Sequence, residues 1–184
     1  ANLEVTHPDQ LQGKTLIALE SYVAEWFNTL GAATENPTFN DLFSMIDTRV
    51  SDGYVQHFNF LGGFDIIGDY PSHTLFGDSG VYMMGIGTIW NKATWDSLPA
   101  DIQQLSYEAR DVYVQTAYGI TSEDAERFFK LIDEQNHTVA ELSPDEILVW
   151  QDALAPVYQD WIDNAPNPAV AEQMFNRLLE ITAK

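Results

Sequence analysis

From Pro99 to Gln135 the chain carries one long helical pattern, and nothing else in the sequence limits the fold so strongly. Pro99 stands where a helix start lacks a partner for its N–H, and Asp101 lies near the positive end of the new dipole. Apolar residues then recur at Ile102, Leu105, Ala109, Val112, Tyr113, Ala117 and Ile120, and the stripe continues through Phe128, Phe129 and Ile132. Only Gly119 and the capping-type "TSED" interrupt it. Unbroken, such a helix is about 55 Å long at 1.5 Å per residue. A compact chain of 184 residues has a radius of gyration of roughly 16 Å, so it is about 40 Å across. The helix must kink at Gly119 or lie across a second body.

The elements before it alternate between strand and helix. "KTLIAL" (14–19) reads as a buried strand after the Gly13 turn. "SYVAEWFNTLG" follows as a helix with Ser21 as N-cap, Val23, Trp26, Phe27 and Leu30 on one face, and Gly31 as its stop. "PTFNDLFSMIDTRV" predicts a second short helix, ended by the "SDG" turn. "YVQHFNFLGGFDIIGDYP" mixes alternation with a Gly-Gly break, while "HTLF" and "GVYMMGIGTIW" read as strands. Trp90 would close the last of these, Asn91 begins a turn, and "KATWDSL" makes a brief helical turn. Beyond the long helix, "HTVAEL" (137–142) is a strand and "SPDE" (143–146) a capping box with Pro144 at the first helical position. Pro156 should bend the helix that follows, "APNP" breaks the chain, and 169–182 form a final amphipathic helix. The alternation argues for an α/β fold with a helical tail.

Composition excludes several functions. With 28 acids against 8 bases the net charge is −20, too few cations to neutralise nucleic acid or to hold an anionic membrane. The 45% hydrophobic content supplies a core, and no apolar run reaches the roughly 18 residues of a membrane helix. Cysteine is absent, so disulfides, a thiolate nucleophile and the usual zinc sites are excluded. The D-x-D-x-D-G calcium spacing, G-x-S-x-G and H-x-x-x-H are missing too. "FGDSG" invites a hydrolase reading through Ser79 with His73 or His57 and an acid, but no helix follows the serine. "GIG" at 85–87 is half a dinucleotide fingerprint without its helix. "YVQHFNF" is more promising: Gln56, His57 and Asn59 among aromatic rings suit the binding of a polar small molecule better than catalysis.

Three segments in order carry a family resemblance. "LQGKTLIA" (11–18) is similar to "LKGKKIRV", "GAATENPTFNDLFSMIDTRVSDG" (31–53) fits G-A, F-x-[ED]-x-[YF], D-G, and "WNKATWDSLPADIQQ" (90–104) resembles "NKKTWDSLPPDVQK". These are landmarks of the solute-binding receptors of TRAP transporters, the tripartite ATP-independent periplasmic uptake systems, and they span about residues 8 to 165. The resemblance implies a periplasmic-binding-protein-like α/β fold of type II, in which two lobes close on a solute and a long helix spans both. Residues 1–98 would then be part of one lobe, 99–136 the inter-lobe helix, 137–142 a strand returning to the lobe, and 143–184 helices that pack on the other lobe. The resemblance also implies that the family's N-terminal lobe, which precedes the "LKGKKIRV" landmark, is missing here. "ANLEVTHPDQLQGK" lacks the basic start and apolar core of a leader, so either a leader was removed or the sequence begins inside a longer protein. With the resemblance, a fragment of a longer receptor is expected, self-associating through surface meant for the absent lobe.

The resemblance further implies a periplasmic, non-enzymatic protein without cofactor or metal, whose partners are a small solute and the membrane permease subunits. A sensor that signals on the same fold is the alternative. The family's polar residues after D-G fall on Tyr54, Gln56, His57 and Asn59, and Glu20, Ser21 and Tyr22 would line the same edge at the carboxyl ends of the strands. Trp26 and Tyr82 are stacking candidates, with core packing as their other reading. Ile17 stands where the family usually has an arginine that forks a solute carboxylate. Glu20 would suit a hydroxyl or an amine instead.

Overall fold

A computed structural model describes the chain except residues 3, 65, 78, 79, 83–86, 183 and 184. Strand β1 (Thr15–Ile17) leads into helix α1 (Ser21–Thr29), strand β2 (Ala33–Glu35), helix α2 (Phe39–Asp47) and strand β3 (Gly53–Tyr54). The three strands form a parallel sheet in the order β2-β1-β3, with Ile17 opposite both Glu35 and Tyr54. The order reverses direction at β1, so right-handed crossovers place α1 and α2 on opposite faces. The core follows the pleat. Leu16 packs in a cluster with Val23 and Phe27 of α1, while its neighbour Ile17 packs with Leu42 and Ile46 of α2.

The "SDG" turn has a structural reason residue by residue. Asp52 Oδ2 accepts from the Thr15 N–H at 3.0 Å, which anchors the start of β1. Ser51 is buried against Tyr70, hydroxyl to hydroxyl at 2.6 Å. Gly53 meets Leu16 so closely that a Cβ would lie 3.0 Å from Leu16 Cδ2, leaving room for no other residue without displacement. Gly31 ends α1 differently, at φ +86°, in the left-handed region that glycine enters without strain.

After β3 come helix α3 (Phe58–Gly63), strand β4 (Ser72–Leu75), helix α4 (Lys92–Ser97) and helix α5 (Ala100–Glu134). Strand β5 (Thr138–Glu141) then pairs in parallel with β4, from Ser72 opposite Thr138 to Leu75 opposite Glu141. Helices α6 (Pro144–Ala153), α7 (Ala155–Asp163) and α8 (Pro168–Thr182) complete the chain. The helix expected over 99–135 runs unbroken for 35 residues past Gly119, with Pro99 as its N-cap. It meets the rest through its last third. Phe128 is buried, stacked on Phe58 of α3 at 4.6 Å and 25°, and Ile132 lies beside it in the same cluster. The earlier stripe is exposed, with Val112 at 68% and Tyr118 at 75%.

Four expectations need correcting. The N-cap of α1 is Glu20, with Ser21 the first helical residue, because Glu20 keeps the extended backbone of the strand exit. Pro156 breaks its helix rather than bending it: α6 ends at Ala153, Leu154 is the joint, and the proline sits in the first turn of α7, where its missing N–H costs nothing. The alternation read in 54–71 gives way to helix α3 over Phe58–Gly63, which the Gly-Gly pair ends. The strand read over 80–90 falls partly outside the described residues, and Gly87–Trp90 belongs to no strand, since no neighbouring strand offers it hydrogen bonds. Trp90 instead lies against Trp95 of α4 at 5.5 Å. The capping box holds: Ser143 Oγ accepts from the Glu146 N–H, and Glu146 reaches back to the Ser143 N–H at 2.8 Å.

Candidate functional site

Strands β1 and β3 are neighbours, run the same way and lie where the strand order reverses. In open parallel sheets the crevice at such a switch point is where ligands bind. β1 leaves the sheet through Ala18 and Leu19 to Glu20, the N-cap of α1. β3 leaves through Val55 and Gln56 to His57, the N-cap of α3. A Val55 N–H bond to the Ile17 carbonyl at 3.1 Å carries the pairing to the last residue before the two exits part. The topology therefore brings Glu20 and Tyr22 to one edge with Tyr54, Gln56 and His57.

The side chains converge on Tyr82. Its ring centroid lies 4.9 Å from His57, 5.9 Å from Tyr22 and 6.0 Å from Trp26, and Tyr22 is in turn 5.6 Å from Trp26. The three contacts among Tyr22, Trp26 and Tyr82 are edge-on, the arrangement favoured by ring quadrupoles. Beneath them Gln56 Nε2 donates to the Tyr54 hydroxyl at 3.4 Å, and Gln56 Oε1 accepts from the His57 N–H at 2.9 Å. Gln56 thereby locks the β3 exit.

Three polar atoms in this cluster, Glu20 Oε2, His57 Nε2 and Tyr82 Oη, are closed off from the surface and have no hydrogen-bond partner among the described residues. Such groups cost stability and are uncommon in folded proteins unless something else satisfies them. Glu20 acts on the surrounding tyrosines. Burial raises the Tyr82 hydroxyl above its ordinary range, and the Glu20 carboxylate it faces adds to that through its charge and by drawing on the hydroxyl proton, although the geometry falls short of a closed hydrogen bond. Burial also pushes Tyr54 up to about 12, with Glu20 adding to it and the Gln56 hydrogen bond opposing. Tyr22 rises through the same two causes in the same order. All three tyrosines stay protonated at neutral pH and offer O–H groups.

Two expected residues do not join. Ser21 is exposed, and Asn59, half-buried on α3, makes no side-chain hydrogen bond among the described residues. Tyr82, weighed for stacking or packing, is the centre of the cluster; its position 60 residues beyond Tyr22 has no sequence signal apart from its being aromatic. Ile17 is fully buried among Leu42, Ile46, Ile66 and Tyr70, so its position offers no charge to the site.

Other features lead elsewhere. A cavity of about 140 Å³ lies between β3, β4, Phe128 and Trp150. It shares Tyr54 and Gln56 with the site, but it is lined mainly by apolar side chains and falls below the roughly 300 Å³ of a typical ligand pocket. His73 Nε2 and His137 Nδ1 lie 3.0 Å apart across β4 and β5. That contact engages His73, one of the bases of the hydrolase reading, while Ser79 lies outside the described residues. Among the described residues no three His, Asp or Glu side chains converge as metal ligands, and no helix is long and apolar enough to cross a membrane.

Comparison with known proteins agrees with this geometry. The chain is 26% identical over 181 residues to the C4-dicarboxylate-binding periplasmic protein DctP of Rhodobacter capsulatus, covering 93% of this chain and 51% of that protein. It is 25% identical over 182 residues to the C4-dicarboxylate-binding protein DctB of Bacillus subtilis, covering 96% and 49%. A TRAP periplasmic solute-binding protein from Shewanella oneidensis with bound succinate superimposes with a TM-score of 0.74 at 27% identity, covering 94% of this chain and 56% of that one. The periplasmic ectoine-binding protein of the Halomonas elongata TeaABC TRAP transporter shares the fold, with a TM-score of 0.75 at 17% identity, covering 98% and 60%. The chain thus spans about half the length of the curated relatives it matches. The profile of the bacterial extracellular solute-binding proteins, family 7, fits residues 1–164, and with the switch-point cluster and the parallel sheet described above, this chain belongs to that family.

Proposed function

We propose that the chain supplies one half of the cleft of an extracytoplasmic receptor that captures a small polar solute and delivers it to the permease of a TRAP-type transporter. One observation carries the reading: buried polar atoms of Glu20, His57 and Tyr82 lack partners among the described residues, at an edge where the sheet topology opens a crevice. The names of the relatives, binders of C4-dicarboxylates, succinate and ectoine, support a small-molecule ligand over a macromolecule. Their larger size supports a second lobe facing this edge.

Residues 1–98 form the core of one lobe in this reading, 99–136 the helix between lobes, 137–142 the returning strand and 143–184 the helices against the second lobe. The protein has no catalytic step. Ligand closes the two lobes because it gains contacts with both only in the closed state.

Titration of the complete protein with a metabolite library tests this. A tight ligand is expected, and Gln56→Ala and His57→Ala should each weaken it about tenfold or more, the effect of one lost hydrogen bond to a buried polar group. Unchanged affinity in both variants would remove the β3 exit from the site. Hydrolysis of an ester panel, abolished by Ser79→Ala, would replace the receptor reading with an enzymatic one.

A further inference from the structure

We infer that the solute carries a nitrogen cation with N–H groups to donate, seated on Glu20 and against the rings of Tyr22, Trp26 and Tyr82. This rests on the receptor reading above and deepens it to a chemical class.

The carboxylate decides the polarity. A Glu20 carboxylate accepts hydrogen bonds, and its buried Oε2 closes none among the described residues. Tyr82 Oη stands near it without closing a bond, and His57 Nε2 is likewise unpartnered. The groups that act electrostatically on Tyr22, Tyr54 and Tyr82 are Glu20 and other tyrosines, with no lysine or arginine among them. Four of the eight basic residues are engaged elsewhere, in the pairs Lys92–Asp96, Arg110–Asp111, Lys130–Glu134 and Arg177–Glu180. Ile17, the last residue of β1, is sealed in the core and brings no charge.

Three solute classes meet this edge differently. A carboxylate would bring a second negative charge to Glu20 with no lysine or arginine beside it on this edge among the described residues, and like charges in a shared site repel strongly. A neutral polyol would donate to Oε2 but leave the charge uncompensated. A protonated amine does both, and the aromatic rings add attraction for a cation over their faces. The net charge of −20 also raises the local concentration of cations.

Four probes of one chain length separate these cases: butane-1,4-diamine, 4-aminobutanoate, butane-1,4-diol and succinate, titrated calorimetrically into the complete protein. The two amines are expected to bind at least about tenfold more tightly than the diol and succinate. Glu20→Gln, which keeps the side-chain volume, should erase that preference by weakening the amines alone, with its thermal melt checked against the wild type. Tighter binding of succinate or the diol overturns the inference while leaving the receptor reading in place. Amine binding that survives Glu20→Gln overturns it too. Failure of all four probes to bind overturns this inference, and the receptor reading then depends on the library titration alone.

Discussion

His73 shows how much a single residue's meaning depends on its surroundings. In the sequence it is one of four histidines without ligand spacing. In the fold it is 9% exposed, edge-on to Phe128 at 5.3 Å and paired with His137. Burial above all lowers its pKa from 6.5 to about 4. The sign follows from which state takes up a proton first. Between about 6.5 and about 4 the unfolded chain is protonated at His73 while the folded chain is not. The contribution to stability is therefore complete above about 6.5 and is lost as the pH falls toward about 4. Protonation of the many carboxylates relieves charge repulsion and pushes the other way, so the useful quantity is a difference. Urea midpoints of the wild type should fall relative to His73→Gln between pH 7 and pH 4, and parallel curves for the two proteins would refute the assignment. The residues of the site are similar. Their polarity was visible in "YVQHFNF" and in Glu20, whereas the unpartnered state of three atoms belongs to packing alone.

Among the elements, α5 joins sequence pattern to architecture most directly. Its length was readable from a stripe free of proline, and its start from Pro99 and Asp101. What the stripe could not say is which of its apolar residues become buried. Phe128 does, held between Phe58, Phe129 and His73, because α3 crosses the helix there and Gly62 brings the backbones close. Truncation to Phe128→Ala should destabilise the chain by about 3–5 kcal/mol, the range for a large aromatic removed from a packed core. Chemical denaturation measures it, and a loss below about 1 kcal/mol would mean that α5 is not anchored at this contact. The segment Gly87–Trp90 teaches the converse. Its residues have the pattern of a strand, yet a strand needs a neighbour to satisfy its backbone, and none lies beside it among the described residues.

At the scale of the whole molecule, the notable feature is apolar surface left uncovered. Leu105, Val112, Tyr113 and Ile120 of α5 are each more than half exposed. A monomer rarely carries so long an apolar face in water. The isolated chain is therefore expected to self-associate, giving a light-scattering mass above that of one copy and strong fluorescence of an apolar-surface dye. The double substitution Leu105→Glu/Val112→Glu should reduce both signals. A wild-type monomer that binds no dye would show that this face needs no cover.

Local chemistry alone determined the capping box at Ser143, the start of α5, the turn at Gly53 and the parallel α/β character, because caps, turns and apolar periodicity act over a few residues. Even the sheet edge that gathers the candidate site was legible, since strands joined by crossover helices open at their carboxyl ends. Tertiary structure alone decided that Tyr82, distant in sequence, closes over Glu20 and His57, that Ile17 is sealed from the cleft, and that Ser21 and Asn59 stand aside. Those outcomes depend on contacts between segments tens of residues apart, and the rotation of each element about its neighbours leaves no periodic trace in the chain.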